Sequence, residues 1–105
     1  SKQFLNARNL DLFIKTNTYK NELLSEDALR EAEDFIREGY FPESIDQLKR
    51  AIIYQPDNYF AYKLLGELYL KMGLNKDAEE AFKRVIEINP PNTEVIEESR
   101  KVLKK

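Results

Sequence analysis

The sequence predicts an all-α protein, an α-α superhelix (a helical solenoid) built from antiparallel helix pairs. The chain repeats itself at an interval of 34 residues, which separates Gly39 from Gly73 and Pro56 from Pro90. Between these markers, apolar residues recur at steps of three and four, the spacing of one helix face. The glycines and prolines lie where the apolar stripes end, as expected at helix boundaries. A period of this length indicates stacked helical units.

The same offset relates many other positions. Identical pairs, with the earlier residue first, are Glu33 and Glu67, Lys49 and Lys83, Arg50 and Arg84, Ile52 and Ile86, and Asn58 and Asn92. Size is preserved in further pairs, namely Ala32 and Gly66, Ser44 and Ala78, Phe35 and Tyr69, and Leu48 and Phe82. Small residues let helix backbones approach, and large ones fill the adjoining gaps. The repeat is therefore expected to build the core.

Residues 25–58 form the first predicted helix pair. Ser25 is a candidate N-cap, and the acidic residues after it suit the positive end of a helix dipole. Gly39 is suited to end this helix in a left-handed conformation. Pro42 fits the first turn of a second helix, which Pro56 terminates.

Residues 59–92 form the second predicted helix pair. Its first helix has an apolar face made of Tyr62, Leu65, Leu68 and Tyr69. Gly73 is expected to end that helix, and Asn75 is a candidate N-cap for the next one. The second helix should stop before Pro90. Residues 93–105 predict a last helix, capped by Asn92 or Thr93.

Residues 1–24 contain too many large apolar side chains for a disordered tail. The polar, β-branched stretch 15–18 predicts that a helix ends there. One interpretation is an N-terminal helix that covers the open end of the first pair. Another is an apolar segment that lies in a binding groove of its own chain or of a neighbour. A linker or disordered segment is the third alternative.

The composition excludes several classes of function. The chain has no His and no Cys, which removes His bases, thiol nucleophiles and Cys-bound zinc, and its three glycines cannot form a phosphate-binding loop. We therefore expect no catalytic residues, no metal and no cofactor. A net charge of −2 does not favour nucleic acid as a partner, and no apolar run is long enough for a membrane span. We expect a cytoplasmic location slightly more than export of a processed fragment, which the Ser1 start leaves open.

The repeated residues resemble the tetratricopeptide repeat, a helix pair of 34 residues. Residues 59–92 match its pattern at Tyr62, Leu65, Gly66, Tyr69, Gly73, Ala78, Phe82 and Pro90. Residues 25–58 match more loosely, because Ala28 and Glu31 depart from it. The resemblance thus implies a degenerate first repeat at 25–58, a second repeat at 59–92 and a C-terminal capping helix at 93–105.

The resemblance also implies a function in protein or peptide binding on a concave face. This face is lined mainly by the first helix of each repeat. Carried over to this chain, the partner-binding residues are Leu29, Glu33, Ile36, Arg37, Phe60, Lys63, Glu67, Leu70 and Lys71, with Glu26, Glu94, Glu97 and Lys101 at the edges. Helical spacing supports the second-repeat set independently, because Phe60, Lys63 and Glu67 lie on a different face from the packing residue Tyr62. We call these residues the concave face.

Two further expectations follow. Glu67 stands where members that hold a C-terminal carboxylate have Asn, and a second carboxylate would oppose an anionic ligand. We therefore reject that subtype. The alternative function is self-association, in which the apolar N-terminal segment packs on a neighbouring chain through Phe4, Leu10, Phe13 and Ile14 and gives a homodimer.

Overall fold

The computed structural model describes residues 7–104 and shows five helices. They are α1 (Ala7–Glu38), α2 (Phe41–Tyr54), α3 (Tyr59–Lys71), α4 (Asn75–Ile88) and α5 (Thr93–Leu103). No strand occurs within residues 7–104. The all-α helical-repeat prediction is confirmed.

The helices pack in chain order, α1 against α2, α2 against α3, α3 against α4, and α4 against α5. The connections are short, so consecutive helices run antiparallel. The molecule is elongated, with extents of 57 × 28 × 20 Å. The 32-residue α1 accounts for most of this length, since a helix rises about 1.5 Å per residue.

Most predicted helix ends are confirmed. Gly39 and Gly73 have φ angles of 84° and 77°, the left-handed conformation that suits glycine after a helix. Pro42 lies in the first turn of α2. The Asn92 side chain caps α5 by accepting a hydrogen bond from the amide of Glu94 at 3.1 Å. One prediction is wrong, because Asn75 is the first helical residue of α4 and not its N-cap.

The predicted helix end at residues 15–18 is also wrong, because α1 runs unbroken from Ala7 to Glu38. The Thr16 hydroxyl donates a hydrogen bond to the Leu12 carbonyl oxygen at 2.8 Å. That bond satisfies the polar side chain within the helix. No glycine or proline precedes Gly39, so no residue of the kind that breaks helices lies inside α1.

The prediction that Ser25 is an N-cap is wrong. Ser25 lies inside α1 and is fully buried. Its hydroxyl donates to the carbonyl oxygen of Ala51 in α2 at 2.8 Å. It also accepts a hydrogen bond from Asn58 Nδ2 at 2.9 Å. Asn58 in turn caps α3, since its Oδ1 accepts from the amide of Ala61 at 3.2 Å. One buried network thus joins three helices.

The core follows the small–large pattern of the repeat. Its buried apolar residues are Ala28, Ala32, Ile45, Leu48, Ala51, Ala61, Leu65, Leu68, Ala78, Ala81, Phe82, Val85 and Val95. Gly66 is also required by close packing, because a Cβ built there would lie 2.6 Å from Phe82 Cε2. The Phe82 ring of α4 therefore occupies the space that a Cβ at residue 66 would need, and a side chain there would force the ring to shift.

Helices α1 and α3 differ on one face, compared at an offset of 34 residues. This face is buried in α3 but charged and exposed in α1. In α3, this face packs towards the first repeat through Ala61, Leu65 and Leu68. Thirty-four residues earlier stand Asp27, Glu31 and Asp34, which are all exposed. Because burial of charged side chains is costly, this face of α1 is suited to solvent and not to another packed helix.

The start of α1 extends beyond the repeats. Leu12 and residues 15–23 are exposed, so these side chains do not cover the first helix pair. Phe4 lies outside the described residues, and the side chains of Leu10, Phe13 and Ile14 also fall outside what the structure describes. Their predicted role in packing or self-association therefore stays a prediction.

Candidate functional site

Helix α3 has two different faces. Tyr62, Leu65 and Tyr69 line a cavity of about 390 Å³ between α2 and α4. Phe60, Lys63 and the other α3 residues of the concave face do not line this cavity. Since residues of a helix are spaced by about 100°, the two sets lie on opposite sides of α3. The sequence predicted this separation.

On the concave side of α3, three side chains form one contiguous cluster. The Lys63 Nζ lies 5.5 Å from the centroid of the half-buried Phe60 ring, within the range of a cation–π contact. The same Nζ lies 3.8 Å from Glu67 Oε1. The Lys63 side chain is only 23% exposed, so its stem covers apolar surface while its charge lies between a ring and a carboxylate.

The C-terminal end of α3 extends this cluster. Leu70 is 41% exposed, unlike the buried Leu68 two residues earlier. The Lys71 Nζ lies 5.7 Å from the ring centroid of Phe41, the first residue of α2. Both lysines of the concave face therefore lie over an aromatic ring, and Leu70, which precedes Lys71, adds exposed apolar surface.

The residues predicted on α1 contribute less open surface. Leu29 and Ile36 are partly buried and pack against the core, so much of their apolar area is used for folding. Glu33 is half-buried. The exposed Arg37 forms an ion pair with Asp34 one turn earlier. A ligand on this part of the face would meet the edges of two core residues and a paired guanidinium group.

The edge residues of the predicted face divide between α1 and α5. Glu26 is exposed on α1. Glu94, Glu97 and Lys101 line one side of α5, along a depression of about 260 Å³. Glu97 accepts a hydrogen bond from the Arg100 guanidinium group at 3.3 Å. These contacts are those of a solvated, charged helix surface.

Sequence reasoning missed the cavity between α2 and α4. Besides the three α3 residues, it is lined by Lys49, Ile52, Ile53, Asp77, Glu80, Ala81 and Arg84. Ile53, at its edge, is 77% exposed. The repeat contained a signal for this residue, because the equivalent position in the second repeat is Glu87. An isoleucine that replaces a surface glutamate marks an apolar patch.

Arg84 contributes a positive charge to the lining of this cavity. Its guanidinium Nη1 donates a hydrogen bond to Glu87 Oε2 at 2.8 Å, and its Cζ lies 5.5 Å from the Tyr62 ring centroid. These contacts raise the pKa of Arg84 above its usual value, with the Glu87 hydrogen bond as the main cause and Tyr62 as the second. The lining of the cavity therefore combines apolar side chains with charged groups, one of which is the paired guanidinium group of Arg84.

Two kinds of site find no support in the described part of the chain. Among its residues, no group of three or more acidic side chains is arranged to hold a metal ion. No helix among them is both long enough and apolar enough to cross a membrane. The described surface offers apolar patches and paired charges, which are the ingredients of contacts with other proteins.

The comparison with models of protein families agrees with the 34-residue repeat seen in the sequence. Residues 59–92 match the family model described as Tetratricopeptide repeat. No curated protein matches the chain. The family match covers α3 and α4, the better-preserved of the two predicted repeats, and this family is generally one of protein interaction modules without enzymatic activity. The chain therefore carries a tetratricopeptide repeat at residues 59–92, which confirms the family recognised in its sequence.

Proposed function

We propose that the chain is a non-enzymatic interaction module that binds an extended or helical segment of a partner protein across its concave face. The observation that carries this proposal is the cluster of Phe60, Lys63 and Glu67 on the side of α3 that does not line the cavity between α2 and α4. It joins an aromatic surface to two opposite charges within two helical turns. Such a combination is typical of interface anchors.

Apolar contact supplies most of the affinity in this proposal. Phe60 is half-buried and Leu70 is 41% exposed, so partner side chains that pack on these two residues would remove apolar surface from water. Because the Phe60 ring is already restrained beneath the Lys63 ammonium group, little side-chain entropy is lost on binding.

The charges of the cluster set the register of the ligand. Lys63 and Glu67 form a pair at 3.8 Å, so an anionic ligand at Lys63 would also meet the carboxylate. We therefore propose an internal peptide segment with apolar side chains, and not a free C-terminal carboxylate. Charges of this kind govern specificity and association rate more than affinity.

The experiment is a peptide selection followed by binding measurements on variants. A random-peptide library is selected on the immobilised chain, and Kd values of the selected peptides are measured by fluorescence polarisation. We expect Phe60→Ala and Lys63→Glu to weaken binding about tenfold or more, which corresponds to about 1.4 kcal/mol. Ile53→Ala and Lys49→Glu are the matched controls, because they also truncate one apolar side chain and reverse one lysine charge, but at the cavity between α2 and α4.

The two pairs of variants distinguish the two surfaces. Loss of binding in the α3 variants alone supports the concave face. Loss in the two control variants alone would overturn that assignment and move the site to the cavity between α2 and α4. Circular dichroism spectra that match the parent chain are required of all four variants, so that weaker binding is not caused by unfolding.

A further inference from the structure

The N-terminal half of α1 has an apolar stripe that the repeats do not cover. Leu12, Tyr19 and Leu23 are 58%, 64% and 44% exposed. With Thr16 between them, they follow steps of four, three and four residues, which place all four on one side of the helix. The Thr16 hydroxyl is bonded to the Leu12 carbonyl oxygen, so its donor is already satisfied.

This stripe faces away from the rest of the chain. Ser25 marks the side of α1 that contacts α2 and α3, because it bonds to Ala51 and Asn58. Leu23 precedes it by two residues, a rotation of about 200° around the helix. A helix placed on the stripe would therefore not collide with the repeats of the same chain.

We propose that the stripe pairs two copies of this chain through an antiparallel helix contact. Leu12, Thr16, Tyr19 and Leu23 occupy alternating d and a positions of a heptad pattern, the positions that meet between paired helices. In the antiparallel arrangement, Leu12 lies opposite Leu23 of the second copy and Thr16 lies opposite Tyr19. The stripe is therefore complementary to itself.

The charges that flank the stripe favour a second copy of this chain as the partner, in the antiparallel direction. Lys15 and Glu22 are exposed and occupy the g positions that flank the stripe. In the antiparallel pair, Lys15 lies beside Glu22 of the second copy, and symmetry repeats this opposite-charge contact. In a parallel pair, Lys15 would lie beside the exposed Lys20 of the second copy. Like charges at these positions are unfavourable.

The antiparallel direction also fits the shape of the chain. The repeats begin where Ser25 becomes buried, and antiparallel pairing places the two sets of repeats at opposite ends of the paired helices. Each copy keeps the concave face of α3 open. This contact between two copies uses neither α3 nor a foreign peptide, so it is separate from the proposed function. The contact is short, so we expect a weak dimer that depends on concentration.

The experiment is sedimentation equilibrium of the chain over a range of concentrations, at low salt. We expect a shift from 12.4 kDa towards twice that mass as concentration rises. Lys15→Glu should weaken the dimer by tenfold or more, because it places two acidic groups together at both contacts. Glu22→Lys should weaken it similarly, and the double variant Lys15→Glu/Glu22→Lys should restore it. Lys49→Glu on α2 is the control and should leave the dimer unchanged.

A second set of variants tests the apolar contact without dependence on charge. Tyr19→Asp and Leu23→Asp should abolish the dimer, while circular dichroism shows that the repeats stay folded. A monomer at every concentration would overturn the proposal, as would a dimer that none of these variants weakens. A dimer strengthened by Lys15→Glu would also overturn it, since only the parallel arrangement gains from that change.

Discussion

The Gly66 backbone of α3 lies against the Phe82 ring of α4, so that a Cβ at residue 66 would stand 2.6 Å from Phe82 Cε2. Thirty-four residues earlier, the equivalent positions are Ala32 and Leu48, both fully buried. The two repeats thus fill the same space in different ways. A larger residue on the second helix requires a smaller one on the first.

Gly66→Ala should destabilise the chain by about 1–3 kcal/mol through overpacking. This is the opposite of the usual effect, because Ala in a helix interior is favoured over Gly by about 1 kcal/mol. Urea denaturation followed by circular dichroism measures the difference in the free energy of unfolding. A stabilised variant would contradict the close contact.

The double variant Gly66→Ala/Phe82→Leu recreates the pair that the first repeat uses. We expect Phe82→Leu alone to destabilise the chain, because it leaves unfilled space beside Gly66. The double variant should be more stable than the sum of the single effects predicts, since the methyl group of the introduced alanine occupies that space. Additive losses would show that the two positions do not share one packing contact.

Substitution of Asn58, which lies in a buried hydrogen-bond network, should be among the most destabilising changes of a polar residue. Asn58→Ala removes the cap of α3 and the hydrogen bond to Ser25 together. We expect a loss of about 1–3 kcal/mol in the free energy of unfolding. The control is Asn92→Ala, which removes the equivalent cap of the exposed α5 terminus and should cost less, about 0.5–1 kcal/mol. Equal losses would contradict a special role for the network.

Asn89 ends α4 in the left-handed conformation, with a φ of 55°. Asn89→Gly should leave the stability nearly unchanged, because glycine adopts this conformation without a steric penalty. Asn89→Ala should cost about 1 kcal/mol, since alanine lacks the tolerance of asparagine for this region. Thermal unfolding of the two variants checks the order, and an equally stable alanine variant would contradict it.

The exposed Ile53 should accept a charge. Ile53→Glu introduces the residue type found at the equivalent position, Glu87, and should change stability by less than about 0.5 kcal/mol. The comparison is Ile45→Glu in the same helix, where the side chain is buried in the core and the loss should be several kcal/mol. Chemical denaturation measures both. A large loss at Ile53 would mean that it packs against a neighbour.

Local backbone chemistry explains why most helix ends were predictable from the sequence. Gly39 and Gly73 adopt positive φ angles, and Pro42 starts a helix, because these preferences depend on only a few neighbouring atoms. Ser25 was misinterpreted because its partners, Ala51 and Asn58, lie 26 and 33 residues away in the chain. A serine before acidic residues has the same local pattern whether it caps a helix or lies within one.

The candidate site, like the helix ends, was predictable only where it depends on neighbouring residues of one helix. Helical spacing alone separates Phe60 and Lys63 from Tyr62, so the separation of the two faces of α3 could be derived from the sequence, while a partner-binding role for one of them stays a prediction. The cavity beside Tyr62 was not found, because its walls come from α2, α3 and α4 and depend on side-chain sizes across three helices. The long extension of α1 was missed because no single residue signals that a helix continues.

The proposed function depends on partner binding at the concave face of α3. Chemical-shift mapping of the ¹⁵N-labelled chain, titrated with a peptide selected on it, tests this claim most directly. We predict that the largest amide shifts occur at Phe60, Lys63 and Leu70, with little change at Ile53. Shifts concentrated at Ile53, Ala81 and the other residues of the cavity between α2 and α4 would contradict it.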